Sequence, residues 1–219
     1  MQVQDLNYAS LPWIQQSDSL SEAIHRLEDE QLSQLPVVDG AQYLGVLSMD
    51  VLLSVEDDHM LVQQLVHQLP KSAIRPEDHF LTALHLMSEL SWSMMPVVVE
   101  HELIGVIEQT ELMNTVTRFL GLQKSGALLV VEKEIHQFSA SEVVKLVETN
   151  DVQVIQLNTQ PNHQTGIMQV TLRLNRSEIS DIISTFQRYE YTIRFFIGEE
   201  QYANELRSNY DNLIHYLKI

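Results

Sequence analysis

The hydrophobic and polar positions of this chain follow one pattern twice. Two short apolar runs, at residues 35–38 and 44–47, are separated by Asp39 and Gly40 and predict a β-hairpin. The same two runs return 60 residues later, at residues 95–99 and 103–107. The register extends to the preceding helical stripe, where Leu20, Ala23, Ile24 and Leu27 correspond to Phe80, Ala83, Leu84 and Met87. A match of this length predicts an internal repeat of one supersecondary unit.

Each repeat is predicted to run strand, helix, strand, strand, helix. In the first, a short strand is expected around residues 12–14, and Ser19 with Glu22 forms a capping box that begins the first helix. A second helix is predicted from about Asp50, with residues 54–72 continuing it.

The second repeat is predicted to follow the first without insertion. Ile74 opens it, and its helices are expected at residues 77–90 and 108–120. The two copies expose apolar faces that should pack on each other.

A different pattern follows a glycine-containing linker at residues 121–126. Its order, β-α-β-β-α-β, is that of the ferredoxin-like split βαβ arrangement. The predicted elements are a strand at 127–131, a helix capped by Ser139 and Glu142, strands at 152–159 and 166–174 around a turn at Pro161 and Asn162, a helix capped by Asn175 and Glu178, and a strand at 191–197.

These patterns together predict an α+β (α/β) protein of three parts. Residues 1–120 form the repeat pair, with repeats at 8–68 and 69–120, and residues 126–198 form the ferredoxin-like domain. Residues 199–219 are predicted to be a helical tail whose apolar stripe is Tyr202, Leu206, Tyr210, Leu213 and Leu217.

Composition and charge narrow the classes of function. The chain of 219 residues has no cysteine, which excludes disulfides, thiol catalysis and cysteine-bound zinc. Residues 1–120 hold 18 acids and 4 bases, a net charge of −14, while residues 121–219 hold 12 acids and 9 bases, a net of −3. So acidic a surface repels nucleic acid and anionic lipid. With no leader pattern and no long apolar run, we expect a soluble cytoplasmic protein.

The repeated unit closely resembles the CBS domain, and the two copies resemble a CBS pair, or Bateman module, over residues 8–120. The next 70 or so residues resemble an ACT domain, and this order is similar to proteins of the acetoin-utilisation regulatory type. The ending, residues 210–219, is similar to an uncharacterised CBS-domain family of the kind found in Bacteroidetes. The resemblance implies a homodimer and a cleft for adenine nucleotides.

The family's nucleotide signature, Gly-h-h-Thr/Ser-x-x-Asp, has changed in both copies. The first keeps a hydroxyl in Ser48 but has Val51 at the carboxylate position; the second has Glu108 at the phosphate position and Glu111 at the carboxylate position. The resemblance therefore implies weak binding of AMP or ATP, with Mg²⁺ as a further candidate. The candidate ligand-binding residues are Trp13, Ile14, Val37, Gly45, Ser48, Ile74, Val97, Gly105, Glu108 and Glu111.

Two of the candidate features have a simpler interpretation. Trp13 and Trp92 could stack on a base or pack in the core or a dimer interface. ACT domains that bind amino acids usually place a glycine between the first strand and helix, whereas residues 134–137 contain none, which argues against such a site.

No catalytic or metal motif occurs in the sequence. The phosphate-binding loop, the nucleophile elbow and the kinase motifs are missing, and no histidine pair has a ligand spacing, so we predict neither an enzyme nor a metal site. We predict a non-catalytic, ligand-sensing regulatory protein in which the repeat pair and the ACT-like domain change each other's arrangement. The alternatives are a structural interaction module with decayed sites and a divalent-cation sensor that uses Glu56, Asp57 and Asp58.

Overall fold

The two repeats form hairpins with the same register, 60 residues apart. In the computed structural model Pro36 pairs with Val46 and Pro96 pairs with Val106. Each hairpin also has a register shift at the same step, after Val37 in the first and after Val97 in the second. The predicted internal repeat is confirmed. The register shift that both hairpins share is not visible in the sequence pattern.

The structure describes residues 1–9, 12–55 and 59–198, and the chain divides into two units at Val116 and Thr117. The repeat pair contains β1 (Ile14–Gln15), α1 (Leu20–Asp29), β2 (Gln34–Asp39), β3 (Gln42–Ser48), α2 (Met49–Leu53), α3 (Phe80–Leu90), β4 (Met94–Val99), β5 (Glu102–Glu108) and α4 (Gln109–Phe119).

One five-stranded sheet, in the order β1-β2-β3-β5-β4, joins the two repeats. The hairpins meet where Gln42 pairs with Glu102. Two backbone bonds hold this junction, from Tyr43 N to His101 O at 2.8 Å and from Leu103 N to Ala41 O at 3.0 Å. The strand β4 is the last named strand of the sheet, and its outer side bonds to the segment at Ile74, from Ile74 N to Pro96 O at 3.0 Å and from Val98 N to Ile74 O at 2.9 Å.

Helix α1 begins where the sequence predicts. The Ser19 hydroxyl accepts a hydrogen bond from Glu22 N at 3.2 Å, which satisfies one of the unpaired amides of the first turn. The Glu22 carboxylate bonds to Arg26 at 3.0 Å, one turn along the helix. The buried face of the helix consists of Leu20, Ala23 and Leu27.

The prediction that residues 54–72 continue α2 is wrong, because α2 ends at Leu53. Two 3-10 turns follow at Val62–Gln64 and Val66–Gln68. The first two amides of the first turn bond outside the segment, from Val62 N to Asp18 O and from Gln63 N to Gln16 O. The apolar spacing that mimics a helix instead buries Val62, Leu65 and Leu69 in the first core.

Helix α3 starts three residues later than predicted, at Phe80 rather than Glu77. The Asp78 carboxylate accepts a hydrogen bond from Arg75 N at 2.8 Å, which fixes a turn before the helix. His79 is the N-cap, with its Nδ1 accepting from Leu81 N at 3.3 Å.

The second unit is a ferredoxin-like β-α-β-β-α-β domain, as predicted. Its four strands lie in the order β7-β8-β6-β9, and α5 and α6 bury their apolar faces in one core with the sheet. Ser139 caps α5 as expected, accepting from Glu142 N at 3.5 Å. The elements are β6 (Leu128–Glu134), α5 (Ala140–Glu148), β7 (Val154–Asn162), β8 (Ile167–Leu174), α6 (Ser180–Arg188) and β9 (Thr192–Ile197).

Two local predictions in this domain are wrong. Pro161 and Asn162 do not form the turn but end β7, where they pair with Met168 and Ile167. The strand is at an edge of the sheet, which tolerates a proline without an N–H.

The predicted cap of α6 is also wrong. Asn175 accepts a hydrogen bond from Gln153 N at 2.8 Å instead, and α6 begins at Ser180 after an N-cap at Ile179. Glu178 accepts from Ser180 N at 3.2 Å and takes over part of the capping role. The predicted tail, residues 199–219, lies outside the described residues. Within the described ranges, no helix is long and apolar enough to span a membrane.

We predict that a fragment of residues 1–120 folds alone, because both hairpins, the helices α1 to α4 and two buried clusters lie within it. The fragment should unfold cooperatively on heating and show dispersed amide resonances. A fragment that binds a hydrophobic dye and lacks dispersed resonances would contradict the boundary.

Candidate functional site

Four of the predicted site residues are parts of the sheet rather than of a surface. Ile14 pairs in parallel with Val37, and Ile74 pairs in parallel with Val97. All four side chains are at most 1% exposed. They support the site from within, and only their backbone atoms are available to a ligand.

The two predicted glycines are covered by other segments of the chain. A methyl group built on Gly45 would lie 2.7 Å from Leu69 Cβ, and one built on Gly105 would lie 2.9 Å from Tyr8 Cβ. In both repeats a crossing segment therefore lies directly on the hairpin, and it needs a residue without a side chain beneath it.

The signature side chains already have internal partners. Ser48 caps α2, with its hydroxyl accepting from Val51 N at 3.4 Å. Glu108 accepts a hydrogen bond from Thr110 Oγ1 at 3.3 Å. Glu111 accepts one from Asn7 N at 3.5 Å, the outer limit for such a bond. None of these three side chains lines a described cavity of the repeat pair.

The side chain of Trp13 is 48% exposed, whereas that of Trp92 is buried in the second core. The Trp13 backbone carbonyl accepts a hydrogen bond from the Arg26 guanidinium, which also forms ion pairs with Glu22 and Asp18. With Arg26, Trp13 lines a shallow cavity of about 410 Å³. The structure thus confirms the alternative of core packing for Trp92, whereas the indole of Trp13 is open to solvent.

A larger cavity, of about 460 Å³, lies at the outer edge of β4 in the second repeat. Its volume falls within the roughly 300–1,000 Å³ range of small-molecule sites. Of the ten predicted site residues only Ile74 lines it. The full lining is Ala73, Ile74, Arg75, Pro76, Glu77, Val98, Val99, Glu100 and His101.

Val98 lines this cavity, and within the described residues its carbonyl receives no backbone hydrogen bond from outside the hairpin. In the first repeat the equivalent carbonyl, that of Val38, accepts a hydrogen bond from Gln16 N at 2.9 Å. The residue equivalent to Gln16 is Pro76, which has no N–H to donate. The parallel pairing therefore stops after the bond from Val98 N to Ile74 O at 2.9 Å.

The turn at one wall of the cavity has a left-handed backbone. Glu100 and His101 have φ values of 49° and 75°, in the left-handed region that residues with side chains rarely adopt. They are the two central residues of the hairpin turn between β4 and β5, and positive φ at both is the usual geometry of such a two-residue turn.

The divalent-cation hypothesis gains no support from the described residues. Among them, no group of three or more histidine, aspartate or glutamate side chains could hold a metal ion. Glu56, Asp57 and Asp58 lie outside the described ranges.

In the second unit, a groove of about 710 Å³ lies between α5 and α6. Lys145 and Arg188 line it, each in the last turn of its helix, where a cation complements the helix dipole. Lys133 Nζ donates to Tyr189 O at 2.7 Å and lies 4.5 Å from the centre of the Tyr191 ring. Burial, followed by the nearby Glu142 carboxylate, raises the pKa of Tyr191. These contacts tie the helix ends to the sheet, and this structural role accounts for them without a ligand.

The sequence analysis missed most of the cavity because the family signature directed attention to other positions. The missing signal is in the repeat itself, since the offset of 60 residues aligns Pro76 with Gln16 and Ala73 with Trp13. These two differences mark the edge at which the repeats diverge.

A CBS-domain family model matches residues 3–58 and 67–118. A CBS domain pair/ACT domain protein from Thermotoga maritima is 24% identical, with a match that covers 54% of this chain and 98% of that one at a TM-score of 0.48. A Vibrio cholerae protein assigned to acetoin utilization is 19% identical, over 56% of this chain and 95% of that one, at a TM-score of 0.48.

A third similar structure, a CBS-domain protein in complex with AMP, is 22% identical over 53% of this chain and 96% of that one, at a TM-score of 0.44. The ACT-like assignment of residues 126–198 stays a prediction. The repeated hairpins and the two matched segments together show that the N-terminal part of this chain is a CBS domain pair.

Proposed function

We propose that the CBS pair is a regulatory, non-catalytic module that binds an adenosine-type ligand weakly in the cavity at the edge of β4. The observation that carries this proposal is the Val98 carbonyl, which lacks the backbone donor that Gln16 supplies in the first repeat. A ligand that supplies an N–H would pair with this carbonyl in place of solvent, a net gain of about 0.5–1.5 kcal/mol.

The chemistry of the cavity favours a planar ring that carries an amino group. The 6-amino group of adenine donates hydrogen bonds in the plane of the base, which suits a carbonyl at a strand edge. The side chains of Val98 and Val99 offer apolar surface to the ring faces. An oxygen at the same ring position, as in inosine, would meet the Val98 carbonyl as acceptor against acceptor.

The charges around the cavity favour a ligand with few phosphates. Arg75 is the single cation of the lining, and Glu77 and Glu100 are its two acids. Each added phosphate charge therefore meets more repulsion than attraction. We infer that the cavity binds adenosine or AMP more tightly than ATP.

Replacing Pro76 with Gln should weaken adenosine binding about three- to tenfold, because the new N–H can reach Val98 O as Gln16 N reaches Val38 O in the first repeat. Calorimetry with adenosine and inosine measures the effect. The unaltered protein should prefer adenosine, and Pro76→Gln should lose that preference.

The matched control is Pro161→Gln, which changes a proline at the sheet edge of the other unit and should leave adenosine binding unchanged. Equal binding of adenosine and inosine by the unaltered protein would contradict a role for the carbonyl. No binding of either would favour the alternative, an interaction module without a ligand.

The signature residues Glu108 and Val51 do not line the cavity at the edge of β4, so changes there test a second nucleotide site at the degenerate signatures. If a nucleotide binds there, Glu108→Thr should tighten its binding, and ATP binding most of all. A carboxylate about 5 Å from a phosphate charge costs roughly 3 kcal/mol at an effective dielectric constant near 20, on the order of a hundredfold in affinity. Val51→Asp should also tighten binding, because it gives the first copy a carboxylate for the ribose hydroxyls, at ~1–3 kcal/mol. Tight ATP binding by the unaltered protein, or no gain from either change, would show that these positions do not contact the ligand.

We also propose that the CBS pair forms a homodimer through α2 and α4. Leu53 and Met113 hold equivalent positions of the two repeats and are 74% and 57% exposed, each next to a buried leucine. A surface that presents the same apolar group twice, about the local symmetry of the repeats, suits the self-complementary contact of a two-fold dimer.

Light scattering should therefore give twice the chain mass of 25.2 kDa at micromolar concentration. Leu53→Glu and Met113→Glu should each produce monomers, because a carboxylate in an apolar interface loses its hydration. Leu81→Glu, at a leucine that is 43% exposed and has Ser21 as its equivalent in the first repeat, is the control and should remain dimeric. A species of 25.2 kDa for the unaltered protein would contradict the dimer.

A further inference from the structure

Residues 1–9, which we call the strap, lie along the second repeat. Near one end, Val3 N donates to Asp78 O at 2.8 Å and Gln4 N donates to Pro76 O at 2.9 Å. Val3 and Leu6 bury their side chains in the second core. The strap thus holds the segment that forms one wall of the cavity, because Pro76 and Glu77 line it.

The other end of the strap covers the degenerate nucleotide signature of the second repeat. Ala9 exchanges two backbone hydrogen bonds with Val106, at 2.8 and 3.3 Å. Tyr8 lies on Gly105, and Asn7 N donates to Glu111 Oε1 at 3.5 Å. Glu111 is the carboxylate that would receive the vicinal hydroxyls of a ribose.

We propose that Asn7 and Tyr8 act as a built-in competitor for the ligand of the second repeat, so that a nucleoside reaches Glu111 only when this part of the strap is displaced. The inference rests on the proposed binding of an adenosine-type ligand and concerns the signature of the second repeat, which lies outside the cavity at the end of β4. A carboxylate can accept several hydrogen bonds. The competition is therefore for the space in front of Glu111 and Gly105 as well as for Oε1.

The strap is held imperfectly at this position, which suits a displaceable element. The Tyr8 hydroxyl is buried and has no hydrogen-bond partner among the described residues. Burial, and then the negative charges of Glu77 and Asp5, raise the pKa of the phenol, which keeps the hydroxyl protonated. An unpaired buried hydroxyl destabilises the docked strap relative to a displaced one.

Two substitutions should shift the competition in opposite directions. Asn7→Pro removes the N–H that binds Glu111, and Leu6, with φ −95° and ψ 160°, already has the extended backbone that precedes a proline. AMP binding should tighten about three- to tenfold. Asn7→Ala keeps the N–H and is the matched control. Tyr8→Phe removes the unpaired hydroxyl, so the strap should dock more firmly, the melting temperature should rise and AMP binding should weaken severalfold.

Amide hydrogen exchange of the unaltered protein gives a second measurement that needs no variant. A ligand that merely stabilises the fold slows exchange throughout the CBS pair. Competition predicts faster exchange at residues 3–9 when AMP is added, while exchange elsewhere in the second repeat slows. The full chain is used throughout, with AMP as the probe.

The outcomes separate this inference from the function on which it rests. If the protein binds AMP but Asn7→Pro binds it no better than Asn7→Ala, or if AMP slows exchange at residues 3–9, the competitor is refuted and the adenosine site stands. If neither the unaltered protein nor Asn7→Pro binds AMP or adenosine, both proposals are overturned. A misfolded Asn7→Pro would be recognised by its melting curve, and the exchange measurement would then decide.

Discussion

The whole CBS pair depends on two places where a segment from outside a hairpin lies directly on its second strand. At Gly45 the crossing segment brings Leu69 Cβ and Pro70 O to within 2.7 and 3.0 Å of where a side chain would begin. At Gly105 the crossing residue is Tyr8. The backbone bonds of the crossings, from Val46 N to Pro70 O and between Ala9 and Val106, can form only at this distance. A side chain at either glycine would separate the crossing segment from the sheet, so the glycines determine how the repeats are connected.

On this common frame, single residues make the two repeats chemically different. The edge of the first repeat is closed because Gln16 donates to the Val38 carbonyl. In the second repeat the parallel pairing beside β4 ends one hydrogen bond earlier, because the equivalent residue is Pro76. The cavity begins at this point. Because Pro76 has no N–H, it cannot donate the hydrogen bond that Gln16 donates in the first repeat, and the Val98 carbonyl is left without that partner. The turn at Glu100 and His101 forms a wall of the same cavity.

The sequence predicted those features that depend on local pattern. The repeated hairpins, the caps at Ser19 and Ser139 and the order of the ferredoxin-like domain all follow from periodicity and short-range hydrogen bonding. The errors arose where tertiary partners compete with local preference. The amides of Val62 and Gln63 bond to distant carbonyls instead of extending α2, and Asn175 bonds to Gln153 instead of capping α6. The cavity could not be predicted, because the missing donor at the Val98 carbonyl becomes visible only when both strand partners are known.

The proposed weakness of the ligand site and the proposed role of the strap are physically connected. A nucleotide site with Glu108 at the phosphate position, in a repeat pair of net charge −14, gains little from phosphate and must obtain its affinity from the nucleoside. When a ligand binds weakly, an internal competitor that changes its free energy by about 1.4 kcal/mol changes the occupied fraction nearly tenfold at low concentration. The same competitor would scarcely affect a site that binds at nanomolar concentration, where occupancy is complete in either state. The decayed signature and the covering strap therefore suit one another, because only a site of modest affinity can be controlled by a contact as small as that of Asn7 and Tyr8.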